Sequence, residues 1–238
     1  DNLVNHEEDS TMTTNINNIN NSIFLAVGFK KPHLPFVAPK SFWDLYDDST
    51  DSNKLLSTTD NIPVNKIVNY SYTNWSELRG YHDIPASDDV NDDQKKNLIK
   101  GYQACVSYID DQIGKILTQL DDTTKPVNIN NTVIVLWGDQ GFHLGDKGQW
   151  CKHTNFDVAT RIPLIIRDPR KIGGNKIYNN VELLDLFPTL NSLCNIGDPL
   201  SNTLNLEGKD ISNYLYHNSQ YSNNGNYDDD NIAITEYI

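Results

Sequence analysis

The stretch Thr132-Val133-Ile134-Val135-Leu136-Trp137, running straight into Gly138-Asp139-Gln140-Gly141, decides how this chain is read. Its six apolar or β-branched residues carry no charge, which predicts a buried strand. The glycines that follow let the backbone turn sharply at the strand's end. Upstream, Asp92-Asp93 opens a segment in which Leu98, Tyr102, Cys105, Ile109, Ile113, Ile116 and Leu120 recur at spacings of three and four. That is the apolar stripe of a helix, and the first-turn acids suit its dipole. A helix that delivers the chain into a buried strand is half of a strand–helix–strand unit. An α/β fold with a mostly parallel central sheet is therefore expected.

Working outward, Ile23-Phe24-Leu25-Ala26-Val27-Gly28 reads as a second buried strand, parallel and central. Pro32 and Pro35 cannot stay in a ladder, so it ends before them. Lys30, Lys31 and His33 then fall just past the carboxyl end of a strand, where open α/β sheets bind ligands. Residues 162–166 form a third strand candidate. Residues 181–193 read as a second amphipathic helix interrupted by Pro188, and 231–235 as one more strand-like run. Residues 44–92 are rich in Asp, Ser, Thr and Asn and read as a long excursion over the active-site face, not a separate domain. The Asn-rich runs at 15–21 and 218–231 read as solvated loops. There is no internal repeat.

Composition excludes several function classes. At 238 residues the chain suits one large α/β domain or two small ones. Lys and Arg number 19 against 32 Asp and Glu, a net charge of -13. Such a chain is repelled by phosphate backbones and anionic lipid, so a broad nucleic-acid-binding face is excluded. An anionic substrate then needs a few local cations. No apolar stretch approaches the roughly 18 residues of a membrane span. Cys105, Cys151 and Cys194 make neither a CxxC pair nor zinc spacing, and an odd number argues against a complete disulfide framework. Cys105 falls on the helix's apolar face, and Cys151 lacks a nucleophile-elbow context. Asn-x-Ser/Thr acceptors at Asn20, Asn69, Asn74 and Asn130 permit a secreted or lysosomal location.

The chemistry concentrates between Gly138 and His153. Asp139 and Gln140 are neighbouring oxygen donors, one charged and one neutral, of the kind hard cations prefer. Lys152 and His153 add positive or protonatable groups. His33, beside Lys31, is the candidate for an anion site. His6, His82 and His217 lie in polar loops and are given no role. On the residues alone, a turn with solvated charges is the favoured account of 138–153.

Three stretches carry a resemblance: Phe24 to Phe36, Tyr102 to Gly114, and Trp137 to Ile165 with its Asn155-Phe156-Asp157-Val158-Ala159-Thr160-Arg161-Ile162-Pro163-Leu164. Weaker matches lie at 182–190 and 206–210. Together they resemble the sulfatases of the alkaline-phosphatase superfamily, in particular the iduronate-2-sulfatase branch and its bacterial relatives. The resemblance covers most of residues 23–211 in the family's own order.

The resemblance implies an alkaline-phosphatase-like α/β/α sandwich with a mostly parallel central sheet. The sandwich is incomplete at its N-terminus and carries the start of a small C-terminal subdomain. Residues 1–22 would then be a polar loop, 23–197 the C-terminal part of the catalytic domain, and 198–238 the subdomain. It implies that Asp139 and Gln140 are calcium ligands, with Gln140 reaching one methylene further than the family's usual Asn. It implies that Lys152 holds the sulfate group and that His33 assists leaving-group protonation. Lys31, Phe142, His143 and His153 would line the substrate pocket, Phe142 standing where iduronate enzymes have Trp. The implied reaction is hydrolysis of a sulfate ester, that of a sulfated sugar such as a 2-O-sulfated uronic acid. Cations would sit where negative charge develops.

The family nucleophile is a formylglycine made from the Cys of a Cys-x-Pro-x-Arg motif, and none of the three cysteines has that context. The family's first metal pair is also absent, since Asp47-Asp48, Asp88-Asp89, Asp110-Asp111 and Asp121-Asp122 do not follow apolar strands. The expectation is a piece of a sulfatase whose missing N-terminal part supplies both, inactive alone, and lysosomal or secreted. Residues 44–92 would shape substrate choice. The rivals are a phosphodiesterase or phosphonate hydrolase of the same superfamily, and a non-catalytic remnant that keeps an anion pocket.

Overall fold

The structure is a computed structural model that describes residues 22–46, 77–82, 84, 90–171, 173–196, 206–216 and 233. The long helix predicted from Asp92 runs Asp92–Leu120. Asn91 caps it: its side chain accepts from the Gln94 amide, and the Gln94 side chain accepts from the Asn91 amide. This reciprocal pair satisfies two backbone donors that a helix start leaves open. Leu98, Ile99, Gly101, Ala104 and Cys105 are buried, so the predicted stripe packs over its first half. Ile109, Ile113, Ile116 and Leu120 continue it but are only half-buried. Gly101 is required by a neighbour. A Cβ there would lie 2.8 Å from the Trp43 ring, which belongs to the short helix Lys40–Trp43.

The core gathers four separate stretches of chain. Leu34 and Phe36, then Leu78, Ile84 and Val90, then Leu98, Ile99 and Cys105 of the long helix, and finally Trp150 form one buried cluster. Ala38, Tyr81, Tyr102, Phe142 and Leu144 pack against it. Phe36 sets its ring edge-on to Tyr102 and to Phe142, with centroids 5.5 and 6.0 Å apart. The predicted excursion at 44–92 therefore returns to the core through Leu78, Ile84 and Val90, and most of it lies outside the described residues.

The decisive strand is present as β1, Ile134–Trp137, and the third candidate as β2, Leu164–Arg167. This one pair departs from the parallel arrangement expected for most of the sheet. β1 and β2 run antiparallel, with Ile134 opposite Arg167 and Trp137 opposite Leu164. The reason is the connection. Residues 138–163 carry only the short 3-10 helix Asp146–Gly148 and the four-residue helix Asp157–Thr160 and fold back on themselves, so no long crossover helix carries β2 round to lie parallel. β1 is half-buried rather than buried, with Trp137 exposed at its end.

A second correction concerns residues 23–28. They form no strand, and Phe24 and Leu25 are 85% and 75% exposed. The run has the composition of a strand but finds no ladder partner among the described residues, and a strand needs one. A third concerns Pro188. It does not interrupt a helix: the chain makes a 3-10 turn at Leu183–Asp185 and an α-helix at Leu186–Cys194. Pro188 lies in that helix's first turn, where no partner for its missing N–H is needed.

Residues 206–216 are tied to this helix. Asp185 accepts from the Lys209 amide at 2.8 Å and Thr189 Oγ1 from the Ile211 amide at 3.0 Å. Tyr216 donates to Asp168 Oδ2, whose carboxylate also takes a two-pronged grip from Arg170. The strand-like run at 231–235 and both Asn-rich runs lie outside the described residues, apart from Ala233. No helix among the described residues is long and apolar enough to cross a membrane.

Candidate functional site

The loop 138–153 is built by backbone bonds laid across it. His143 N–H donates to Cys151 O at 2.7 Å and Gly145 N–H to Gln149 O at 2.9 Å, closing a narrow double-backed finger. Gly145 has a φ of 95°, in the left-handed region that favours glycine, with its Cα face against Trp150. Gly141 N–H donates to Ala159 O, and a Cβ at Gly141 would fall 2.0 Å from Val158 O. Only a glycine lets the base of the finger lie against Asp157–Thr160.

His143 is the internal post of the finger. It is fully buried, its Nε2 is paired with Thr154 Oγ1 at 2.8 Å and its Nδ1 with Asp146 O at 3.2 Å. Burial pushes its pKa down, so the ring stays neutral. A substrate-facing role was expected; the structure instead gives both ring nitrogens to the loop. Cys151 is buried and its thiol is pushed up to about 11 by desolvation, so it is inert at neutral pH.

Three residues far apart in sequence meet above the core. Lys152 Nζ lies 2.9 Å from His33 Nε2 and 3.1 Å from Glu77 Oε1. His33 Nε2 lies 3.1 Å from the same Glu77 oxygen. The cause is the core itself. Each residue is the chain neighbour of a buried anchor: His33 of Leu34, Glu77 of Leu78, Lys152 of Cys151. The Leu34 carbonyl can only accept, so at 2.7 Å His33 Nδ1 carries a proton. In the neutral ring Nε2 is then the acceptor for the Lys152 ammonium. Glu77 and Lys152 side chains are each 14% exposed, and His33 is 37% exposed.

The expected pair of His33 and Lys152 is thus brought together, and sequence reasoning missed the third member. Glu77 sits in the polar excursion, at the start of the 3-10 helix Glu77–Gly80. The sequence signal was slight: a lone acid directly before a leucine that proves to be a core anchor.

The other expected site residues are placed as follows. Lys31 donates to the carbonyls of His33 and Pro35, so it braces the loop that carries His33. Phe142 is half-buried against the core, stacked on Tyr102. His153 is half-buried beside Lys152. Asp139 and Gln140 follow β1 and are exposed. Neither side chain has a hydrogen-bond or ion-pair partner among the described residues. Two adjacent oxygen donors with free lone pairs fit a hard cation chemically, but calcium takes six to eight. No group of three or more His, Cys, Asp or Glu among the described residues could hold a metal ion. Asp139 and Gln140 fit as one flank of a shell, not as the whole.

The sequence pattern of the sulfatase family matches residues 3–196. Iduronate 2-sulfatase of Mus musculus is 33% identical over 207 residues, covering 74% of this chain and 36% of the relative. A sulfatase of Formosa agariphila is 32% identical over 182 residues, covering 73% of this chain and 32% of the relative. Among solved structures, a phosphonate monoester hydrolase from Silicibacter pomeroyi superposes with a TM-score of 0.55 at 24% identity, over 77% of this chain and 35% of that one. That likeness shows the fold. The chain spans about a third of the length of the curated relatives it matches.

Proposed function

The chain belongs to the sulfatase family, and from that premise we propose that it forms the sulfate-gripping part of a sulfuric ester hydrolase. The observation that carries the proposal is the meeting of Lys152 and His33 at 2.9 Å over a shared core. A sulfate ester spreads negative charge over its oxygens, and an ammonium held in a largely dry setting stabilises that charge far better than one in water. Lys152 grips the group. His33 would pass a proton to the departing oxygen in its doubly protonated form, when Nε2 carries the proton it lacks as the acceptor from Lys152.

Asp139 and Gln140 would hold one side of a calcium ion, which when bound polarises nucleophile and sulfate oxygens. The remaining ligands and the formylglycine nucleophile would come from a preceding part of the same enzyme. The substrate class is a sulfated carbohydrate, with a 2-O-sulfated uronic acid as the first choice. The relative named iduronate 2-sulfatase supports that choice, while Phe142 in place of Trp alters the pocket wall. A lysosomal or secreted location is the reading taken from the iduronate 2-sulfatase likeness, and the exposed Asn130 of the sequon Asn130-Asn131-Thr132 permits it.

The test is release of inorganic sulfate from a 2-O-sulfated uronic-acid disaccharide by the native full-length protein. Lys152→Ala should lower kcat/KM by about 10²–10³-fold, the usual weight of one charge-stabilising group. His33→Asn should lower kcat by about 10²–10⁴-fold. Hydrolysis that survives both substitutions in folded protein overturns the assignment.

A further inference from the structure

Resting on the reading of Lys152 as the sulfate grip, we propose that Glu77 is its positioning residue. Glu77 fixes the direction of the ammonium and holds the unliganded site electrically neutral. Its Oε1 accepts from Lys152 Nζ at 3.1 Å, with His33 Nε2, itself an acceptor from Lys152 in the neutral ring, 3.1 Å away. Its Oε2 is sealed from solvent and has no hydrogen-bond partner among the described residues. Glu77 therefore has no oxygen free to reach a substrate, and as a carboxylate it would repel a sulfate. It acts through Lys152.

Lysine is a point charge on a flexible four-carbon stem with three donors. Here two donors are committed, one to Glu77 Oε1 and one to His33 Nε2, at the corner of a triangle with sides of 2.9, 3.1 and 3.1 Å. Tetrahedral geometry then fixes where the third points. A displacement of 1 Å at such a group costs on the order of 10²-fold in rate. A purely structural ion pair has little reason to leave one buried carboxylate oxygen unpartnered, because that oxygen is costly. The geometry is that of a counter-charge placed to aim a lysine, not to fill a core.

Neutrality gives the proposal a signature. With Glu77 in place the incoming anion meets a Lys152 whose charge is already balanced. Glu77→Gln keeps an oxygen acceptor for the ammonium but removes the negative charge. Anion affinity should therefore rise while the aim is loosened. In the native full-length enzyme acting on 4-nitrophenyl sulfate, Glu77→Gln is expected to lower kcat about 10-fold or more and to lower KM about 2- to 5-fold. A structural role would instead reduce the active fraction and leave KM alone. Glu77→Asp keeps the charge and shortens the reach, and should lower kcat with KM unchanged. If Glu77→Gln does not fold, Glu77→Asp is read by Lys152 labelling per folded molecule, which a loss of active fraction does not change.

A second readout separates this proposal from the sulfatase reading. Lys152 is labelled with an amine-reactive ester and quantified by peptide mass spectrometry. Its rate should rise several-fold in Glu77→Gln, whether or not the wild type hydrolyses a sulfate ester. An inactive wild type with faster Lys152 labelling in the variant sinks the sulfatase reading and keeps the positioning. Unchanged labelling, or unchanged kcat and KM in folded variants, overturns the positioning.

Discussion

Lys152→Met should destabilise the protein far more than its partial burial suggests, and Glu77→Gln should largely reverse the loss. At 3.1 Å and an effective dielectric constant of about 20, the gross attraction between Lys152 and Glu77 is about 5 kcal/mol. Desolvating two ions costs several kcal/mol each, so the intact pair contributes little net stability. Breaking it is different. With Lys152 gone, Glu77 keeps its desolvation cost, and its Oε2 already lacks a partner. Removing one member of a buried pair costs about 3–5 kcal/mol, and the 14% exposure of both side chains argues for about 3 kcal/mol. Glu77→Gln alone should cost less, about 1–2 kcal/mol, because Lys152 keeps His33 and the amide oxygen as acceptors. The double variant should fall within about 1 kcal/mol of wild type, which makes the coupling energy about 3 kcal/mol. The assay is urea unfolding of the native full-length protein at neutral pH, with linear extrapolation and a check that m is unchanged. Additivity of the two single effects to within about 0.5 kcal/mol would refute the reasoning.

Four other outcomes are expected. His143 is held neutral by burial, whereas in the unfolded chain it takes a proton near its ordinary pKa of about 6.5. The unfolded state then binds more protons, so stability should fall as pH drops below about 6.5. His143→Gln should flatten that slope of up to about 1.4 kcal/mol per pH unit, read from urea midpoints between pH 7 and 5. Asp168 is held below the usual carboxylate range chiefly by its Arg170 hydrogen bonds. Its stabilisation is present above the ordinary carboxylate pKa and lost as pH falls through the depressed one, and Asp168→Asn should remove that acid limb and cost about 1–3 kcal/mol at neutral pH. Gly141→Ala drives a methyl into the Val158 carbonyl and should cost about 1–3 kcal/mol by thermal unfolding. Saturating calcium should raise the Tm of the full-length protein, by about 2.7 kcal/mol in stability at 100 times Kd, and Asp139→Asn should cut that gain sharply.

What the sequence revealed depended on whether the signal was local. The long helix was legible to within a residue because an apolar period of three and four, Asp92-Asp93 and a cap act within a few turns of chain. β1 and β2 were legible as charge-free apolar runs. Their antiparallel pairing was not, because orientation is set by how 138–163 folds back, and that rests on glycine contacts such as Gly141 against Val158. The run at 23–28 has a strand's composition, but composition says nothing about a partner. In the site, His33 and Lys152 were legible from their motif stretches. Glu77 was not, because what makes it important is Leu78 inserting into a core assembled from four distant segments. His143 illustrates the reverse error. A histidine inside a motif looked like a ligand-facing group and is the post that holds the loop.

The exposed run Ile23-Phe24-Leu25-Ala26-Val27-Gly28 has a practical side. Six uncharged residues, among them the strand-favouring Ile23, Phe24 and Val27, exposed and in no ladder among the described residues, have the composition of an aggregation seed. Nearby Lys30 gives some gatekeeping charge, but the run itself has none. At the concentrations used for crystals or spectroscopy, copies of this chain would add to one another edge to edge, building cross-strand ladders between molecules. Light scattering should grow with concentration even though the net charge of -13 favours solubility. A single Lys in place of Leu25 would interrupt the seed without touching Glu77, Lys152 or His33, and so offers a handling variant for this chain on its own.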